Sequence, residues 1–152
     1  RGCQDIIAML VLGAVFERHL GLRVVCVEAD AGWAPHFMYR MDHAYKRHRA
    51  WLTAKVDRPP SAYFREHIYM TFQDDFVAFQ NVDQMNWRRL MWANDFPHSD
   101  STWPWSQEML DEQAANLTAE QRRAILCDNV AELYGIDTGV LPIGGDALAE
   151  AS

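Results

Sequence analysis

Three short apolar runs punctuate this chain, at residues 22–28 (L-R-V-V-C-V-E), 67–72 (H-I-Y-M-T-F) and 90–93 (L-M-W-A). Runs of this length, rich in β-branched and aromatic residues, suit strands buried on both faces. Between them lie segments whose apolar residues recur every three or four positions, the spacing of a helix with one buried stripe. Strands alternating with helices are satisfied by a parallel sheet joined by helical crossovers, an α/β fold. Such a sheet puts every strand's carboxyl end on one edge, and the loops leaving that edge are where α/β proteins carry their chemistry.

In chain order, Asp5 is expected to cap a helix over 6–19 that is apolar on nearly every side, and Gly21 to end it. After the first strand and a turn at 29–32, the stripe Trp33, Phe37, Met41, Tyr45, His48, Leu52 predicts a long helix with Arg40, Lys46, Arg47 and Arg49 off the stripe. The run D-R-P-P-S (57–61) breaks it, and a helical turn over 61–66 leads into the second strand. Asp74 is expected to start a helix over 75–81, and another helix covers 105–115. The pattern T-x-x-Q at Thr118 and Gln121 is a capping box opening a helix to Tyr134, with Leu126, Val130 and Leu133 as its stripe and Gly135 as its stop. Residues 1–136 read as one domain and 137–152 as a loose tail.

Composition narrows the function classes. Six Trp, seven Phe and 49% hydrophobic residues are enough for a packed core rather than disorder. A net charge of −7 without a long basic run argues against a nucleic-acid or anionic-membrane partner. The short run Lys46, Arg47, His48, Arg49 reads as a solvated helix face. The apolar segment 6–16 falls well short of the ~20 residues a membrane span needs and lacks the flanks of a signal peptide. Three cysteines without a C-x-x-C pair point to free, mostly buried thiols in a reducing cytoplasm. No glycine-rich phosphate loop is present.

The third run leads to Asp95 and then to a polar loop, N-D-F-P-H-S-D-S-T-W-P (94–104). An acid there is either a turn former or a site residue. Glu28 ends the first run on the same sheet edge, where it lines a pocket or forms a structural pair. His98 either touches substrate or orients Asp95, and Trp103 packs over the end of the fold. Residues 71–73 are expected at the mouth of the site. Asn129 is expected to make structural hydrogen bonds in the last helix.

Four pieces, in order, resemble one family: L-G-A-V-F-E-R-H-L-G-L-R-V-V-C-V-E (12–28), G-W-A-P-H-F-M-Y-R-M-D-H-A-Y (32–45), W-A-N-D-F-P-H-S-D-S-T-W-P (92–104) and A-I-L-C-D-N-V-A-E-L-Y-G (124–135). R-P-P-S-x-Y-F (58–64) fits as well. The family is the amidohydrolase-related branch of the metal-dependent amidohydrolase superfamily. The resemblance implies a TIM-type (β/α)8 barrel with a divalent metal, zinc by expectation, at its C-terminal face. A whole barrel takes roughly 200 to over 400 residues. Three strand–helix units then correspond to strands six to eight, the C-terminal part of an enzyme, and the opening on Arg1 within an apolar segment agrees. The family's first-strand H-x-H and fifth-strand His have no counterpart among His19, His36, His43, His48, His67 and His98.

By the same resemblance Asp95 matches the eighth-strand aspartate, a metal ligand or a proton shuttle beside the metal. Arg40 and His43, in R-M-D-H, match a stretch that reaches a substrate carboxylate, in some members across a subunit contact. The alternative for Arg40 is a surface pair with Asp42 or Glu66. Ala29 stands where decarboxylases of the family carry a histidine, which leaves Glu28 or Asp30 as the candidates to take over its proton transfer. The expected activity is therefore metal-dependent hydrolysis of a small molecule by activated water, with a non-oxidative decarboxylase (a carboxy-lyase) as the alternative on the same scaffold. A non-catalytic α/β interaction module is the alternative from another class. The full-length form is expected to be a homo-oligomer. The isolated chain is expected to be inactive, prone to self-association, and without tight metal binding, since one carboxylate falls short of the three or four ligands of a zinc site.

Overall fold

The computed structural model describes residues 2–139. Its elements alternate as the periodicities require. Helix α1 (Gly2–Leu12) and the short α2 (Val15–Arg18) precede strand β1 (Val24–Cys26). Helix α3 (Ala34–His48) runs into a 3-10 turn, and α4 (Pro60–His67) leads directly into β2 (Ile68–Phe72). Helix α5 (Phe76–Gln80) and two 3-10 turns lead to β3 (Leu90–Trp92), followed by α6 (Ser106–Gln113). The last helical stretch is α7 (Ala119–Arg123), a π-helical turn (Ala124–Asp128) and α8 (Asn129–Tyr134).

The three strands form one parallel sheet in the order β1-β2-β3. Its register pairs Val25 with Tyr69 and Thr71 with Met91, so these four side chains share one face. The alternate positions Ile68, Met70, Phe72 and Leu90 are buried in the main core, with Phe16, Met38, Phe64, Phe79 and Ile125. Phe72 and Phe79 meet edge-on at 5.0 Å. Burying a side chain of this size contributes about 2–3 kcal/mol. On the second face Tyr69 is covered by the Arg89 guanidinium, 4.7 Å above its ring. Helices α1, α3 and α4 pack on one another, and the π turn and α8 pack against β3.

Several boundaries differ from the sequence reading for local reasons. The expected 6–19 helix is two pieces, broken at Gly13 and Ala14, where Ala14 adopts a left-handed φ of 53°. A Cβ at Gly13 would sit 2.5 Å from the Met9 carbonyl oxygen. Asp5 lies in the first turn of α1 rather than at its cap. The helix buries one face, through Ile7 and Val11, while Ile6 and Met9 stand 59% and 73% exposed. Asp75, not Asp74, caps α5, accepting the Ala78 amide. The stripe of α3 holds from Trp33 to Tyr45 and fails at His48, which is exposed.

The capping box at Thr118 and Gln121 and the left-handed stop at Gly135 form as expected. The buried positions between them are Ala124, Ile125 and Asn129, whereas Leu126, Val130 and Leu133 are half-buried. Of the expected tail, residues 140–152 lie outside the described residues. Among the described residues no helix is long and apolar enough to cross a membrane.

Candidate metal centre

Because the sheet is parallel, the loops after β1, β2 and β3 leave the same edge. Along each strand the second-face residues continue past the carboxyl end as Val27, as Gln73 beyond Thr71, and as Ala93. These four line a cavity of about 350 Å³ at that edge. Thr71 and Gln73 thus take the place expected for them at the mouth. Glu28, Asp30, Asp95 and Asp100 complete the polar lining. No lysine or arginine lines this cavity among the described residues.

Three non-glycine residues at this edge are left-handed: Glu28 at φ 53°, Asp30 at 53° and Asp95 at 60°. Each such residue costs of order 1–2 kcal/mol. Strict alternation would send Glu28 to the same face as buried Cys26. The left-handed backbone breaks the alternation and turns Glu28 to the cavity side. Its amide is fixed by the Thr71 hydroxyl at 3.0 Å. The following loop is tied to its neighbour by Asp75, whose Oδ2 accepts the Ala31 and Gly32 amides at 2.8 and 2.7 Å. Gly32 permits this approach, since a Cβ there would stand 2.6 Å from Asp75 Oδ1. The Trp33 indole closes the loop by donating to the carbonyls of Ala29 and Asp30.

The loop after β3 is organised around Asn94, whose carbonyl accepts the Ser101 hydroxyl at 2.7 Å and the Thr102 amide at 3.0 Å. Within it, His98 Nδ1 lies 2.9 Å from Asp95 Oδ1, and the His98 amide donates to the Asp95 carbonyl at the same distance. The Asp95 side chain is 16% exposed and the imidazole 67%. The hydrogen bond to Asp95, its charge, and more weakly the Glu28 charge raise the His98 pKa above its ordinary value, against a small desolvation effect. Asp30 is raised above the usual carboxylate range, first by burial and then by the Asp75 and Asp100 charges. Gln73 Nε2 donates to the Asp100 carboxylate at 3.3 Å. Trp103 is 58% exposed and meets Phe96 edge-on at 5.1 Å.

One potential ligand atom each from Glu28, Asp95 and His98 lies within 4.8 Å of the others. Two carboxylate oxygens and an imidazole nitrogen suit a borderline or hard divalent cation such as zinc or manganese. The sequence offered one donor; the fold groups it with two further potential donors. Two candidates go elsewhere. Arg40 is exposed on α3 and His43 is half-buried beside Tyr39, and neither lines the cavity. Desolvation, then the charges of Arg40 and Arg47, lower the His43 pKa. Asp100 is the lining residue that sequence reasoning passed over. Its only signal was its place in the D-F-P-H-S-D run behind a strand.

A family model described as amidohydrolase matches residues 3–136. Among solved structures, an amidohydrolase from Mycobacterium avium subsp. paratuberculosis superposes with a TM-score of 0.73 at 17% identity, over 90% of this chain and 34% of that one. 5-Carboxyvanillate decarboxylase from Sphingomonas paucimobilis gives a TM-score of 0.72 at 18% identity, over 86% of this chain and 38% of that one. A dihydroxybenzoic acid decarboxylase from Polaromonas, determined with manganese and the inhibitor 2-nitroresorcinol, gives 0.67 at 18% identity, over 88% and 40%. The chain thus spans well under half the length of these structures. No curated protein matches it.

Proposed function

We infer the function from one premise: the chain belongs to the amidohydrolase family. On that premise we propose that β1, β2 and β3 are strands six to eight of a (β/α)8 barrel. Three strands of eight is close to the 34–40% of each solved structure that the chain covers. The activity we assign to the whole protein is hydrolysis of a small molecule with the help of a divalent metal. The observation that carries this is the Asp95 carboxylate, held at 2.9 Å by His98 on the sheet edge where the three strands end.

Asp95, with Glu28 and His98 beside it, would hold the metal, zinc or manganese. When bound, a divalent ion supplies electrophilic assistance and makes water easier to deprotonate. The chain's own residues do the rest. His98 Nδ1 donates to Asp95 Oδ1, which fixes the carboxylate's rotamer and leaves Oδ2 to take a proton from the attacking water. Thr71 fixes Glu28, and Gln73 fixes Asp100, so the walls are held before substrate arrives.

The lining favours hydrolysis over decarboxylation. A decarboxylase must receive an anionic carboxylate, and this side of the cavity presents four acids and, among the described residues, neither lysine nor arginine. Arg40, expected to read a substrate carboxylate, lies outside it. Ala29, where the resemblance expects a decarboxylase's histidine, supplies no proton donor. The fold likeness to two decarboxylases supports the second reading, a metal-dependent decarboxylase. The free cysteines fit a reducing cytoplasm.

The test is turnover by the metal-loaded, full-length protein on a panel of lactones, esters, amides and hydroxybenzoates, following proton and CO2 release separately. Hydrolysis that falls roughly 10²–10⁴-fold in kcat on Asp95→Asn is the expected result. Turnover undiminished by Asp95→Asn would overturn the assignment, and CO2 release as the sole activity would move it to the second reading.

A further inference from the structure

Glu28 and Asp30 both hold left-handed backbone, each at φ 53°, within the segment 28–32. Non-glycine residues stay in that region only where their surroundings over-determine them. Among the described residues, two side chains from outside the segment hold its backbone, and β2 with the loop behind it supplies both. At one end the Thr71 hydroxyl accepts the Glu28 amide at 3.0 Å. At the other, Asp75 Oδ2 accepts the amides of Ala31 and Gly32 at 2.8 and 2.7 Å.

The Asp75 anchor is the stronger of the two. A hydrogen bond to an ionised acceptor is roughly twice as strong as one between neutral groups, and Asp75 makes a pair of them to this segment. Ala31 and Gly32 are buried, so an amide released from Asp75 finds no water in place and the segment has to move. The other oxygen, Oδ1, accepts the Ala78 amide at 2.9 Å and caps α5. One carboxylate therefore ties the loop after β1 to the start of the helix after β2. The neighbouring Asp74 has a different partner, accepting Gln113 Nε2 of α6 at 2.6 Å.

We propose that Asp75 is a positioning residue: through the Ala31 and Gly32 amides it holds the loop after β1 in the left-handed course that turns Glu28 and Asp30 to the cavity. The inference rests on the reading of this edge as the active site. It adds a group that is not itself among the residues lining the cavity.

Asp75→Ser separates the two tasks of the carboxylate. Serine caps a helix about as well as aspartate, but it is too short to reach Ala31 and Gly32 while doing so. The segment is read by NMR of the chain, where a strong intraresidue NOE between amide and Hα marks a positive φ, and by amide exchange. The parent is expected to show that NOE at Glu28 and Asp30, with slow exchange at Ala31 and Gly32. In Asp75→Ser both NOEs are expected to weaken and the two amides to exchange at least roughly tenfold faster, with the Ala78 amide unchanged. Gly32→Ala is the second variant, because its Cβ would stand 2.6 Å from Asp75 Oδ1 and crowd the same contact from the other side. It is expected to free the segment likewise, and Asp74→Asn to leave it as in the parent. In the full-length, metal-loaded protein, Asp75→Ser is expected to lower kcat roughly 10–10²-fold. If neither variant changes the NOEs or the exchange, the proposal falls whatever turnover does, and a parent without the two NOEs overturns it directly. If the segment is freed and kcat stays within about twofold of the parent, Asp75 holds the fold and not the site, and the proposal falls. Turnover undiminished by Asp95→Asn, with the segment freed by Asp75→Ser, overturns the reading of the site and leaves the clamp standing.

Discussion

Asp95 and His98 illustrate how much a single residue position discloses before any coordinates. An acid behind a short apolar run is visible in the sequence, and so is a histidine three positions later. Their 2.9 Å contact depends on the left-handed φ of 60° at Asp95, for which the letters carry no sign. Glu28 is less legible still, because glutamate rarely adopts that backbone and alternation points it the other way. The pair makes a pH prediction. Because Asp95 raises the His98 pKa above 6.5 in the folded chain, the pair's contribution to stability is complete below the unfolded value and is lost as pH rises through the folded one. In an NMR titration of the metal-free chain, His98 is expected to titrate above 6.5 and to move down on Asp95→Asn. A midpoint at or below 6.5 in the parent chain would contradict the contact.

At the scale of elements, strand positions were legible and helix interiors less so. The three apolar runs contain the three strands because strand positions that are buried, as along β2, or part-buried, as in β1 and β3, leave little choice of composition. The last helix shows the opposite. Its caps, Thr118 with Gln121 and Gly135, follow from local chemistry and form as the sequence reads. Its buried face does not, because the π-helical turn at Ala124–Asp128 adds residues to one turn and rotates everything beyond it. That rotation replaces Val130 with Asn129 at the core. The Asn129 amide donates to the carbonyls of Trp87 at 2.8 Å and Leu90 at 2.7 Å, pinning the start of β3. Asn129→Ala leaves both carbonyls without that donor, and urea denaturation is expected to show a loss of roughly 2–4 kcal/mol. A loss under about 1 kcal/mol would mean that other donors replace the amide.

For the whole molecule, the decisive fact is that the described sheet has two edges. Strand β2 is covered on both sides, but β1 and β3 each present an unpaired backbone edge. Exposed apolar groups lie on the same body: Val27 at the cavity, Phe96 and Trp103 on the β3 loop, Ile6 and Met9 on α1. In a closed barrel each edge pairs with a further strand, and a wall of the cavity comes from outside this chain. The reading as strands six to eight therefore commits the isolated chain to a physical behaviour, since open edges and apolar surface are relieved by association. Sedimentation velocity is expected to show concentration-dependent self-association, and addition of the remaining strands of the barrel to suppress it. A monodisperse, cooperatively melting monomer at high concentration would show that β1 and β3 are content as edges. The assignment to the interior of a barrel would then fail.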